Sequence, residues 1–171
     1  MKPLIFLNGP MGVGKSTVAT ILQQKFDRCA YLDGDWCYQV HPFRVTEESK
    51  ALILHNVAHL LDGYLRSPDV DLILFSWVMN KKEICDAVLS RMTERGKCLF
   101  VTLTASEETL RERFQKDIAA GLRTKEGFKR ALSYLPDYEA DFGGLKLITD
   151  GRSPEECAET ILNYIVSHRE D

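Results

Sequence analysis

The feature that most constrains this chain is Gly9-Pro10-Met11-Gly12-Val13-Gly14-Lys15-Ser16, a glycine-rich segment set between a short apolar run, Leu4 to Leu7, and a stretch of helical periodicity. It matches G-x-x-x-x-G-K-[ST], and a strand before it with a helix after it is the context in which that pattern has a mechanism. Glycines let backbone N–H groups converge on phosphate oxygens, and the helix N-terminus adds partial positive charge. Gly9, Gly12, Val13 and Gly14 are therefore expected to cradle a nucleotide's phosphates, with Thr17 in the first helical turn beside them. Lys15 is expected to reach the β- and γ-phosphates, and Ser16 to place its hydroxyl on Mg²⁺. ATP and Mg²⁺ are the expected cofactors.

Further along the chain, apolar runs bounded by turn signals alternate with helix-period stretches, the pattern of a parallel sheet covered on both faces. Strands are expected at Leu4 to Leu7, Ala30 to Leu32, Asp71 to Phe75, Cys98 to Leu103 and Leu145 to Ile148. Helices are expected at Lys15 to Phe26, Thr46 to Tyr64 and Lys81 to Glu94, then after Ser106. The last helix has the clearest start, with Ser153 as N-cap, Pro154 at the first helical position and Glu156 closing a capping box. The predicted class is α/β, a three-layer sandwich around a five-stranded parallel sheet. Residues 1–171 are expected to form one domain, since 171 residues suit a single core.

The segment Leu32-Asp33-Gly34-Asp35 is the most informative after the cradle. Residues just past the carboxyl ends of strands in a doubly wound sheet face a common crevice, so both carboxylates are expected beside the γ-phosphate. Two positions apart on an extended backbone, they point the same way. One can hold or orient Mg²⁺ while the other accepts the proton of an attacking hydroxyl. No Walker B aspartate ends the third strand, where Leu72-Ile73-Leu74-Phe75 runs into Ser76. Metal support from Asp33 gains weight accordingly. A GTPase reading fails on order, because Asn80-Lys81-Lys82-Glu83 precedes Asp141-Phe142-Gly143-Gly144 and ends in Glu. His55 and His59, in His-Asn-Val-Ala-His, lack the catalytic Glu of the zinc-protease pattern and read as helix surface.

The cradle joined to Leu32-Asp33-Gly34-Asp35 resembles the shikimate kinase, gluconate kinase and adenylylsulfate kinase group of small P-loop kinases. That resemblance implies a P-loop NTPase fold like that of nucleoside monophosphate kinases, with a helical lid over residues 111–138. It implies Asp33 near the metal and Asp35 as the residue that binds and deprotonates the acceptor hydroxyl. Leu110-Arg111-Glu112-Arg113-Phe114 resembles the start of the group's lid, which gives Arg113 a place over the adenine. The group's next lid arginine falls at Asp117 in this chain, so Arg123 is the expected catalytic lid cation, with Lys125 behind it. Thr149-Asp150-Gly151-Arg152 looks like the loop that contacts adenine, which brings Asp150 into the nucleotide site. Trp77 and Arg44 lie on loops expected to border the acceptor pocket, Arg44 as a cation for an anionic acceptor.

The expected activity is transfer of the γ-phosphoryl group of MgATP to a hydroxyl of a small-molecule acceptor. The alternatives are a nucleoside or nucleoside monophosphate kinase and a nucleotide-binding regulatory ATPase. Composition narrows the partners. Hydrophobic residues make up 44% of the chain and charged residues 27%, ordinary for a globular protein, and the net charge of -3 comes with no basic block to track nucleic acid. The apolar run at the N-terminus is too short for a membrane span. Five scattered cysteines without a C-x-x-C pair suggest neither a disulfide framework nor a zinc site, and a reducing, cytoplasmic setting is expected. No nucleic acid or membrane partner is expected, and the assembly is expected to be a monomer or homodimer.

Overall fold

The computed structural model describes residues 1–169. Its centre is β1 (Pro3–Asn8), buried along its whole length and flanked by β3 (Leu72–Ser76) and β4 (Lys97–Thr104). β2 (Cys29–Asp33) and β5 (Leu145–Ile148) complete a sheet of order β2-β3-β1-β4-β5 in which every pairing is parallel. Strand alternation makes two cores from this one sheet. Ile5 and Leu7 point to one face, where they pack with Val18 and Leu22 of α1 (Lys15–Gln24) and Ile161 and Ile165 of α6 (Pro154–Ser167). Leu4 and Phe6 point to the other, against Val57 and Leu61 of α2 (Glu47–Arg66) and Val88 of α3 (Lys82–Leu89).

All five predicted strands are present, with small shifts of their ends. The sequence-predicted cap also stands, Ser153 and Glu156 bonding reciprocally at the start of α6, and the structure adds a second capping box between Thr46 and Ser49 at the start of α2. After β4 the chain forms α4 (Glu107–Ala119) and α5 (Lys125–Tyr134), then a 3₁₀ turn, Leu135–Glu139, that leads back to β5. The start expected for the lid at residue 111 does not match the packing, because Leu110 and Phe114 are both buried and tie the first turns of α4 to the core.

The helix predicted to run to Glu94 stops at Leu89. A long-range contact replaces its last turn. The carboxylate of Asp62, a 5% exposed residue of α2, accepts hydrogen bonds from the Thr93 amide (2.9 Å), the Thr93 hydroxyl (2.9 Å) and the Glu94 amide (3.0 Å). Burial alone would raise this carboxyl, but those donors, helped by Arg66, outweigh it and hold it below its ordinary value. Bonds to a charged acceptor contribute more than neutral ones, so Asp62→Asn is expected to cost about 1–3 kcal/mol at neutral pH. A depressed folded-state value means the contribution is present above the unfolded carboxylate range and is lost as pH falls through the folded value. Urea unfolding should therefore show a gap between wild type and Asp62→Asn at pH 7 that narrows towards pH 3.

Candidate functional site

The carboxyl ends of β1, β2 and β3 open onto one crevice, and the loop from Gly9 to Gly14 closes its floor. Lys15, the first residue of α1, is 9% exposed and turns back over that loop. Its ammonium donates to the carbonyls of Gly9 (2.8 Å) and Pro10 (2.9 Å). Burial lowers its pKa to about 8, against the pull of Asp33 and Asp35 and with a small push from Arg123. Gly12 adopts a φ of +81°, and a Cβ there would lie 2.5 Å from the Phe114 ring, so the loop needs glycine for both conformation and space.

Asp33 and Asp35 reach the same cavity by different routes, and this corrects the expectation of two carboxylates on one face of an extended strand. Asp33 ends β2, and its Oδ1 accepts the Asp35 amide at 3.0 Å, capping a 3₁₀ turn over Gly34–Cys37. Its Oδ2 accepts the Ser16 hydroxyl at 2.9 Å and the Tyr31 hydroxyl at 3.1 Å, with the Ser76 hydroxyl at 3.3 Å. Asp35 sits inside the turn and accepts the Trp77 indole N–H at 3.2 Å. Partial desolvation and then the charge of Asp33 raise its carboxyl above the usual range, while Lys15, Trp77 and Arg123 oppose the rise. A cavity of about 120 Å³ is lined by Lys15, Ser16, Asp33, Asp35, Trp77 and Arg123. Tyr31 and Ser76 carried no sequence signal, because their role appears only when β2 and β3 pair.

Ser16 and Asp33 together form a set of hard oxygen donors suited to Mg²⁺, which is commonly held by one or two protein oxygens with the rest from phosphate and water. The described residues contain no group of three or more His, Cys, Asp or Glu placed to cage a metal alone. His55 and His59 merely stack, their ring centres 6.3 Å apart on the exposed side of α2.

On the other side of the cradle lies a cavity of about 400 Å³, bordered by Gly12, Val13, Gly14, Thr17, Arg113, Arg123, Thr149 and Arg152. Arg113 donates to the carbonyl of Val13 (2.9 Å) and to the hydroxyl (3.0 Å) and carbonyl (3.2 Å) of Thr149, joining the cradle to the loop after β5. Arg123 borders this cavity and the one beside Asp35. Asp117, where the resemblance left a gap, holds it there through a 2.7 Å ion pair, and its guanidinium lies 5.0 Å from the Phe114 ring centre. Gly9 borders neither cavity. It is buried, at a position where a Cβ would strike the Leu103 carbonyl.

Two predicted site residues lie elsewhere. The Asp150 carboxylate accepts bonds from the Ser106 amide (3.0 Å), the Ser106 hydroxyl and the Thr109 hydroxyl (2.5 Å), so its side chain caps the start of α4. Burial would raise it, but these hydroxyls and the amide hold it low. Its neighbours Thr149 and Arg152, at the two ends of the segment that the resemblance points to, line the cavity. Arg44 is exposed and borders none of the cavities around Asp35, because the loop through Phe43 folds towards Tyr38. The cavity that runs from Asp35 past Tyr38 and Phe43 is bordered by Arg130 of α5.

A parallel sheet of this order, with a strand-loop-helix cradle at its centre and a helical excursion after the fourth strand, is a P-loop kinase-like fold. The chain belongs to the family of the AAA domain model AAA_18, which matches residues 5–129. Among solved structures it resembles a sugar kinase from Janibacter sp. HTCC2649, at 18% identity over 97% of this chain and 95% of that one, with a TM-score of 0.72. It also resembles a gluconokinase from Sinorhizobium meliloti 1021, at 18% identity over 96% and 92%, with a TM-score of 0.72. An APS kinase from Mycobacterium tuberculosis, in complex with AMPPNP and APS, matches at 16% identity over 96% and 98%, with a TM-score of 0.67. No curated protein matches the sequence. Likenesses of this degree establish the fold, and the group that the sequence resembles is represented among them. No described helix is long and apolar enough to cross a membrane.

Gly34 lets Trp77 pack against the turn that carries Asp35, since a Cβ there would lie 2.5 Å from Trp77 Cδ1. Gly34→Ala is therefore expected to push the indole off Asp35 and cost about 1–3 kcal/mol of stability, the range for overpacking. Near-ultraviolet circular dichroism and thermal melts should show a changed tryptophan environment and a lowered midpoint.

Proposed function

We infer that this chain transfers the γ-phosphoryl group of MgATP to a hydroxyl of a small molecule. The observation that carries this reading is the convergence of Lys15, Ser16, Asp33, Asp35 and Arg123 on one cavity at the end of the phosphate cradle. The cradle amides and Lys15 bind the phosphates. Ser16 and Asp33 are the oxygens that would hold Mg²⁺, whose charge offsets that of the phosphate oxygens. Asp35 accepts the acceptor's proton as its oxygen bonds to the γ-phosphorus. The bond to the β-γ bridging oxygen breaks, and ADP leaves with that electron pair. Arg123, aimed by Asp117, stabilises charge on the transferring group. The raised carboxyl of Asp35 binds a proton more readily than a free aspartate, which suits its part in taking the acceptor's proton.

A nucleoside monophosphate acceptor finds less support. Its phosphate needs convergent cations, and Arg44 stands apart from the acceptor cavity while Arg130 is exposed at its border. The kinase names borne by similar structures agree with phosphotransfer and leave the acceptor open.

ADP release screened across alcohol acceptors tests the reading directly. Asp35→Asn is expected to keep ATP affinity while turnover falls by roughly 10² to 10⁴, the range for a general base. Unchanged turnover would remove Asp35 from the mechanism. Arg123→Ala is expected to lower turnover by roughly 10², the scale for one lost charge-stabilising donor. Asp117→Asn should give a smaller loss, measured in the same assay, because it only loosens the guanidinium's anchor.

A further inference from the structure

Trp77 is a wall of three adjoining cavities. The first is the phosphate-side cavity with Asp35. The second, about 600 Å³, continues from Asp35 past Tyr38, His41, Phe43 and Ile53. The third, about 460 Å³, shares Tyr38, Phe43, Ile53 and Trp77 with the second and runs on between α2 and α3 over Val45, Leu54 and Ile84. A continuous path therefore leads from the base to an apolar groove.

The groove's chemistry is one-sided. Its walls are aromatic and aliphatic, and the charges that border it, Lys50 and Glu83, are of opposite sign. The Lys50 ammonium is also paired with Glu47 at 2.8 Å. Phe43 is 62% exposed, Val45 63% and Val40 50%, so this loop presents apolar surface that the core does not use. A clustered apolar surface beside a reactive carboxylate marks a ligand-binding groove. A sugar acid or a phosphorylated acceptor would instead call for several cations, and the second cavity offers Arg130 alone.

We propose that the acceptor is an amphipathic alcohol, presenting a hydroxyl to Asp35 while a ring-bearing apolar body lies across Trp77 in the groove lined by Tyr38, Phe43, Val45 and Ile53. This rests on the phosphotransfer reading and names its substrate class. The hydroxyl oxygen bonds to the γ-phosphorus, its proton passes to Asp35, and the β-γ bridging oxygen leaves on ADP. Trp77 then serves two ends, orienting the base through its N–H and supporting the acceptor's apolar body with its ring.

The probe for this groove is 2-naphthylmethanol, titrated calorimetrically into the full chain, with ATP titrated separately into the same preparations. Wild type is expected to bind the probe. Phe43→Ala and Val45→Ser, both at exposed loop positions where folding is not at stake, are expected to weaken it at least about tenfold, the scale for lost apolar pocket contacts. ATP affinity should stay unchanged in both, and gluconate should not displace the probe. Absence of probe binding to wild type, equal binding to all three proteins, or displacement by gluconate would each overturn the proposal. So would sedimentation showing a wild-type dimer that Phe43→Ala converts to monomer, because a second copy would then occupy the groove. Failure of wild type to bind ATP would strike the phosphotransfer reading alone, and the probe titration would still decide the chemistry of the groove.

Discussion

The buried side chain of Asn8 holds together three segments that are distant in sequence. Its Oδ1 accepts the amides of Gly9 at 2.7 Å and Met79 at 2.9 Å, and its Nδ2 donates to the Met79 carbonyl at 2.9 Å. The Tyr138 hydroxyl, from the turn after α5, approaches the same Oδ1 at 3.4 Å. A buried carboxamide with all these partners cannot rotate without leaving polar groups unpaired, at a cost of about 1–3 kcal/mol each. The first residue of the cradle, the loop that carries Trp77 and the foot of the excursion after β4 are therefore fixed relative to one another. The glycine-rich loop and the Trp77 loop share this rigid joint, which lies at the end of the central strand.

What was legible in the sequence is what the backbone itself determines. Gly9 to Ser16 announces its conformation through glycine spacing, and the five strands announce themselves through apolar runs of the right length. The cap at Ser153 needs only a neighbour three residues away. Asp33 and Asp35 were legible for the same reason, since their place follows from the end of β2. Their orientation was not, because Asp33 caps a turn and takes the chain out of its extended form.

The misplaced residues fail for one physical cause: a side chain's partners come from elsewhere in the fold. Asp150 gave no sign in the sequence that its side chain is taken up by Ser106 and Thr109 at the start of α4. Arg44 looked like a pocket cation because its loop follows the carboxylates, yet the path of that loop is set by Tyr38 and Phe43. Tyr31, Ser76 and Asp117 are ordinary residues in sequence, and pairing of β2 with β3 and a turn after α4 give them their roles.

The Asp117 to Arg123 pair has a further consequence. A guanidinium planted directly on a helix has its position dictated by helical register, which changes only in whole residue steps of rotation. Here the positive charge hangs on a short leash, the turn around Gly121, with Asp117 as its mooring. Adding or removing a residue in that leash would extend or shorten the reach of the charge while α4 and its buried Phe114 keep their register. Loop length at 120–124 is thus a separate dial for the placement of this cation between the two cavities it borders, one that evolution can turn without disturbing the core.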